Sequence, residues 1–220
     1  VTLAIATLSQ AVAAKLGEDL LWVLERYSGW FGRTRLNELT LIESPRKLGG
    51  SYARRGLIVL GGMSENDYFD QPAAYLRYLS HEAAHAWWWE APTASWEDWL
   101  NESFAEYSAL LALRERFGSE VFETFLERKK ERLNGIHPLW EFERSDISTP
   151  EKLNQVERLL YDKGPLLLHA LAQRTGSQRY LELCRACLWS GVITTDHLLD
   201  LLEELEDAET RGWFEALLKS

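Results

Sequence analysis

A chain of 220 residues that is 46% hydrophobic, with ten Trp, can build one large domain or two packed lobes without disulfides. Its formal net charge of −10 argues against a nucleic-acid partner, because phosphate binding needs a basic surface. No run of about 18 uncharged apolar residues occurs, so no membrane-spanning helix is expected. The first residue is Val rather than Met, as in a piece of a longer protein. Cys184 and Cys187 form a lone Cys-x-x-Cys. Its context, LELCRACLWSG, lacks a second ligand pair and reads as a buried helix in which Cys is a small apolar residue.

In chain order, the mildly apolar stretch Thr2–Ala14 reads as the start of a helix. Apolar residues recur at three- and four-residue spacing up to Phe31, with a break expected near Gly17 and an end near Gly29. Glu38–Glu43, ELTLIE, alternates like a strand. A turn at Ser44–Gly50 leads into Ser51–Leu60, whose GLIVL run reads as a more buried strand. The segment GGMSEND reads as a turn, after which the pattern becomes helical. Helices are expected over Pro72–Trp89, Glu97–Phe117, Val121–Leu133, Pro150–Thr175, Gln178–Trp189, Thr195–Glu206 and Glu209–Lys219. Thr194, Thr195 and Asp196 are candidate N-caps for the helix that starts at Thr195. The run RKKER at Arg128–Arg132 reads as a solvated helix face. The expected organisation is a single domain over 1–220, with a sheet-containing lobe over about 1–70 and a larger helical lobe over about 71–220.

The chemistry concentrates at His81-Glu82-Ala83-Ala84-His85. Two His four apart on a helix are rotated by only about 40°, so both rings can face one ion. A catalytic zinc takes three protein ligands and keeps a fourth position open. Seventeen residues past His85, Glu102 in Trp99-Leu100-Asn101-Glu102 supplies a carboxylate early in the next helix. The short loop at Pro92–Ser95 lets that helix return towards the first. Two neutral His and one carboxylate leave net positive charge on one Zn2+ per chain, which lowers the pKa of a coordinated water towards ~7. Glu82 is offset from the ligands and is the candidate general base for that water. Glu106, one helical turn past Glu102, is the candidate acceptor for the second ring N–H of a ligating His, His81 first. The alternative is a solvated helix-face carboxylate.

HEAAHAWWWE followed by SWEDWLNESFAEY resembles the aminopeptidase N family of gluzincin metallopeptidases, in which HExxHxW precedes W-L-N-E-x-F-A. Here the gap to the third ligand is two residues shorter, within the Pro92–Ser95 loop. Tyr161-Asp162-Lys163-Gly164 resembles the family's Y-x-K-G segment. The resemblance implies that Tyr161 holds the oxyanion, where a positioned donor can lower a barrier by ~3 kcal/mol. Gly50–Ile58 takes the place of the family's G-A-M-E-N-x-G-L-I strand, and there the chain departs from the pattern. The family's amine-binding Glu falls on Ala53 and its Asn on Arg54. Arg54 is a candidate partner for a substrate carboxylate. Glu65, in GGMSEN, is a second candidate for the amine-binding role.

The resemblance spans roughly 36–176. It implies an α+β, thermolysin-like fold and a peptide or protein substrate laid along the strand that bears Gly56–Leu60. Nothing matches the family's amino-terminal β domain or its large carboxy-terminal helical domain, so a more open cleft or further domains of a longer protein are implied. Trp87, Trp88, Trp89, Trp96 and Trp99 read as core and interface, with a substrate-lining role as the alternative. His137, His169 and His197 have no ligand-like partners. The function expected is zinc-dependent peptide hydrolysis, aminopeptidase-like with altered amine recognition, or endopeptidase. A zinc-binding module that binds peptides without turnover and hydrolysis of a non-peptide substrate are the alternatives.

Overall fold

The structure, a computed structural model, describes residues 2–7, 9–45, 50–61, 65–145 and 147–220, without the side chains of Glu65 and Asn66. The chain divides into two compact units, Val1–Trp87 with Ser108–Phe122, and Trp88–Tyr107 with Glu123–Ser220. Among the described residues no helix is long and apolar enough to cross a membrane.

The first unit holds a four-stranded sheet formed by β1 (Thr2–Ala6), β2 (Glu38–Glu43), β3 (Tyr52–Arg54) and β4 (Leu57–Leu60). Its order is β1-β2-β4-β3, with β1 and β4 parallel to β2 and β3 antiparallel to β4. Three expectations change here. Thr2–Ala6 is a strand and not the start of a helix: Leu3 and Ile5 turn to one side, and the backbone pairs from Thr2↔Glu38 to Ala6↔Ile42. That pairing is non-local, so helical spacing further along the chain carried no trace of it. Ser51–Leu60 is a hairpin of two short strands. Its turn ends at Gly56, whose φ of 76° lies in the region that side chains with a Cβ resist. Consequently β4 is an interior strand with both edges paired, and β3 is the edge strand beside it.

α1 (Gln10–Phe31) runs unbroken through Gly17 and buries Val12, Leu16, Leu20 and Val23. α2 (Glu65–Asp70) forms a short helix where a turn was expected, and α3 (Pro72–Ala84) packs on α1. α4 (Trp99–Phe117) contributes its second half to this unit. There Arg116 reaches Asp19 and covers the Trp22 ring, and Arg26 pairs with Glu115.

The second unit is helical. α5 (Ser119–Glu131), α6 (Pro150–Arg158), α7 (Gly164–Thr175), α8 (Ser177–Ser190), α9 (Thr195–Leu205) and α10 (Ala208–Leu218) follow in order. Thr149, Thr194 and Asp207 cap α6, α9 and α10, each accepting a backbone N–H three residues on, so Thr194 is the cap before Thr195. The expected Pro150–Thr175 helix is interrupted by a π turn over Leu159–Lys163.

Cys184 and Cys187 lie buried in α8 as free thiols. Burial pushes the Cys184 thiol up to about 12 and raises Cys187 well above the ordinary thiol range. Both are therefore protonated and shielded at pH 8. Titration of the native protein with an aromatic disulfide reagent is expected to find neither, and titration in denaturant to find both. A fast-reacting native thiol would refute the packing role.

Candidate metal and active site

His81 and Glu82 occupy the last turn of α3 and are buried, and His85 is its C-cap in right-handed helical conformation (φ −66°, ψ −4°). The helix therefore ends at Ala84, not at Trp89 as its periodicity predicts. Beyond it the chain tightens: Ala86 N–H donates to Ala83 and Trp87 N–H to Ala84, the i→i−3 spacing of a 3₁₀ turn. Side-chain hydrogen bonds running both ways between this corner and the region that ends α1 hold it. Tyr27 Oη donates to the Ser80 carbonyl at 3.0 Å, Thr34 Oγ1 to Ala86 O at 2.9 Å, and Trp87 Nε1 to Gly32 O at 2.9 Å. Trp87 also meets the Tyr27 ring edge-on at 5.7 Å, so its packing role is visible. The His81 and His85 rings lie 5.0 Å apart and nearly perpendicular.

Glu102 stands in the first turn of α4, whose start is set by a polar clamp in the second unit. Asn101 reads the backbone of Ala91 as a neighbouring strand would: its Oδ1 accepts from Ala91 N–H and its Nδ2 donates to Ala91 O. Nδ2 also reaches Asp98, which Arg144 engages at 2.9 Å. Burial pushes the Asp98 carboxyl above its ordinary range, while the bonds from Asn101 and Arg144 pull it back. Trp99 Nε1 donates to Thr195 Oγ1 at 2.8 Å, tying the same turn to the start of α9. The Trp88 ring packs tilted against Phe104 and the Trp96 ring against Trp140, whereas Trp89 is exposed.

One ligand atom from each of His81, His85 and Glu102 lies within 4.8 Å of the other two. Three points that close fit a circle of radius about 2.8 Å, against Zn–N and Zn–O bonds of about 2.0–2.2 Å. A contraction of under about 1 Å per ligand, within reach of a side-chain rotation, brings them to bonding distance. The donor set also suits zinc, with two imidazoles and one carboxylate.

Ala53 and Arg54 lie on the edge strand β3, where the Arg54 guanidinium is exposed, donates to the Ala53 carbonyl and covers the Tyr52 ring. Gly56 makes the hairpin turn. Glu65 opens α2, but its side chain lies outside the described residues, as do residues 62–64. Tyr161 sits half-buried in the π turn. Tyr107 Oη and His169 Nδ1 bond at 3.1 Å, and His137 is exposed.

Lys129 is the residue that sequence reasoning misplaced. It belongs to the RKKER run, yet it is 6% exposed, and its Nζ donates to Glu106 Oε1 at 2.5 Å and to the Tyr161 carbonyl at 2.6 Å. Glu106 is fully buried, not a solvated carboxylate. Asp162 joins them, 3.8 Å from Lys129 and 3.2 Å from Arg132. Burial pushes its carboxyl up, and those two cations pull it back. Removing one partner of such a buried pair costs about 3–5 kcal/mol, because the other charge is stranded. The signal in the sequence was weak: a Lys seven residues after Phe122 shares its helix face, with Leu126 between them.

Residues 63–216 match the Peptidase family M1 domain, and the chain belongs to that family. It is 26% identical over 171 residues to Probable aminopeptidase 1 of Sulfurisphaera tokodaii, covering 71% of this chain and 21% of the relative. With Aminopeptidase N of Streptomyces lividans it shares 28% identity over 157 residues, covering 64% of this chain and 18% of the relative. The crystal structure of the M1 zinc metallopeptidase from Deinococcus radiodurans has the same α+β fold. It superposes with a TM-score of 0.73 over 92% of this chain and 43% of that one, at 22% identity. The chain thus spans about a fifth of the length of the curated relatives and under half of the solved enzyme.

Proposed function

We propose that this chain is a zinc peptidase domain, its 220 residues acting together, that hydrolyses peptide bonds with Glu82 as general base. The observation that carries this reading is the convergence of His81, His85 and Glu102 within 4.8 Å in a chain of family M1. One zinc held there would supply a Lewis acid that polarises the scissile carbonyl and makes water acidic enough to attack near neutral pH. Glu82 takes a proton from the attacking water and returns it to the leaving amine. Tyr161 donates its phenol hydrogen to the carbonyl oxygen as negative charge develops there. Glu106, one oxygen of which accepts from Lys129, orients His81 through the other. The edge strand β3 offers backbone groups to an extended peptide, with Arg54 nearby for a substrate carboxylate.

Ala53, at the position where the resemblance places an amine-binding Glu, cannot pair with a substrate ammonium. The departure bears on specificity and leaves the hydrolytic set whole. With the zinc-loaded protein, a peptide library supplied free and N-acetylated is expected to show both forms cleaved at rates within about tenfold, since an absent ion pair gives no discrimination. Removal of single residues from free peptides alone would return amine recognition to the site and direct attention to Glu65. Zinc-loaded protein that binds library peptides but cleaves neither form would replace the enzyme reading with that of a binding module.

A further inference from the structure

The Tyr161 backbone is fastened in an unusual way. Within the π turn the Gly164 N–H is given to the Leu159 carbonyl, five residues back, which takes it from the Leu160 carbonyl. Residue 165, the donor that an α-helix would offer to the Tyr161 carbonyl, is Pro and has no N–H. Two side chains from other helices of the same unit take over. Ser103 Oγ donates to Leu160 O at 2.7 Å, and Lys129 Nζ donates to Tyr161 O at 2.6 Å. The same ammonium is held by Glu106, one helical turn past Glu102 on α4.

We propose that Lys129 is a positioning residue for Tyr161: its buried ammonium links the Glu106 carboxylate to the Tyr161 carbonyl and so sets where the phenol stands. The proposal rests on the reading of Tyr161 as the oxyanion donor. A phenol on a side chain of this length swings with its own backbone, and misplacement of a catalytic group by about 1 Å can cost on the order of 10²-fold in rate. A charged donor suits the task, since bonds from an ammonium are about twice as strong as neutral ones. The nearby Asp162, 3.8 Å away, adds to the field that keeps the ammonium in place. Serine and lysine thus reach these two carbonyls, one each.

Two readouts test this. In metal-free protein labelled with 3-fluorotyrosine, the residue-161 fluorine resonance, assigned with Y161F, is expected to be shifted or broadened in K129M and to stay near the parent position in K129R. E106Q/K129M removes the tether without stranding the Glu106 carboxylate and leaves Asp162 paired with Arg132, and should perturb the resonance equally should K129M fold poorly. In the zinc-loaded protein, with the library peptide that the parent cleaves fastest, K129M should lower kcat by about 10- to 100-fold with KM within about threefold. K129R should recover most of that loss, and in a Y161F background the effect of K129M should shrink below about threefold. An unchanged fluorine resonance in both K129M and E106Q/K129M overturns the proposal. So does an equal rate effect in the Y161F background, because Lys129 would then act through something other than the phenol. If Y161F itself turns over like the parent, the oxyanion assignment fails, and the resonance still decides whether Lys129 holds Tyr161.

Discussion

Replacing Glu82 by Gln is expected to lower turnover by about 10³-fold or more while the protein still binds one zinc per chain. The two side chains have the same shape and length, so the packing of this buried position in the last turn of α3 is preserved. What is lost is the ability to take a proton: an amide cannot shuttle one from water to the leaving amine. Glu82 is not one of the three residues whose ligand atoms converge, so metal stoichiometry should be untouched. The comparison is His85→Ala, which removes one ligand of three and should lose both the metal and turnover. Dialysis against a chelator should silence the parent, and added zinc should restore it. Turnover in Glu82→Gln near the parent level would remove Glu82 from the mechanism, and loss of zinc in that variant would make it a metal-site residue instead.

Among the described glycines of the second unit, Gly164 is the one where an added methyl, Gly164→Ala, should be most damaging. A Cβ there would lie 1.9 Å from Ser103 Oγ and 2.6 Å from Ser103 Cβ. Rotating the Ser103 hydroxyl away relieves the first contact but breaks its bond to the Leu160 carbonyl, and leaves the second. α4 and the π turn must therefore part. Overpacking of this kind costs about 2–3 kcal/mol, which for a chain of this size lowers Tm by about 5–10 °C. Ser103→Gly combined with Gly164→Ala removes both clashing atoms and should recover at least about half of the loss, despite the missing hydroxyl. Since Tyr161 lies in the displaced turn, the single variant should also lose kcat at temperatures where it remains folded. A Tm within about 1 °C of the parent would show that the helices separate without cost.

The sequence by itself determined the chemistry of the three-residue group and the helices that carry it. HExxH and W-L-N-E fall on the end of α3 and the start of α4 because local periodicity and turn residues announce amphipathic helices, and ligand spacing follows from helical pitch. The membership of family M1 was likewise carried by contiguous motifs. Only the tertiary structure decided features made by partners distant in the chain. Thr2–Ala6 became a strand because β2 offered it an edge, and Gly56–Leu60 became interior because β3 folded back on it. The helix after His85 was cut short by hydrogen bonds from Thr34 and Trp87 that no local pattern encodes. Lys129 is the clearest case. In a run of charged residues its neighbours make it look solvated, and its burial depends on a carboxylate 23 residues before it and a carbonyl 32 residues after it. Hydrophobic spacing reports which face of an element is buried. Where a buried charge finds its counter-charge is settled only when separate helices come together.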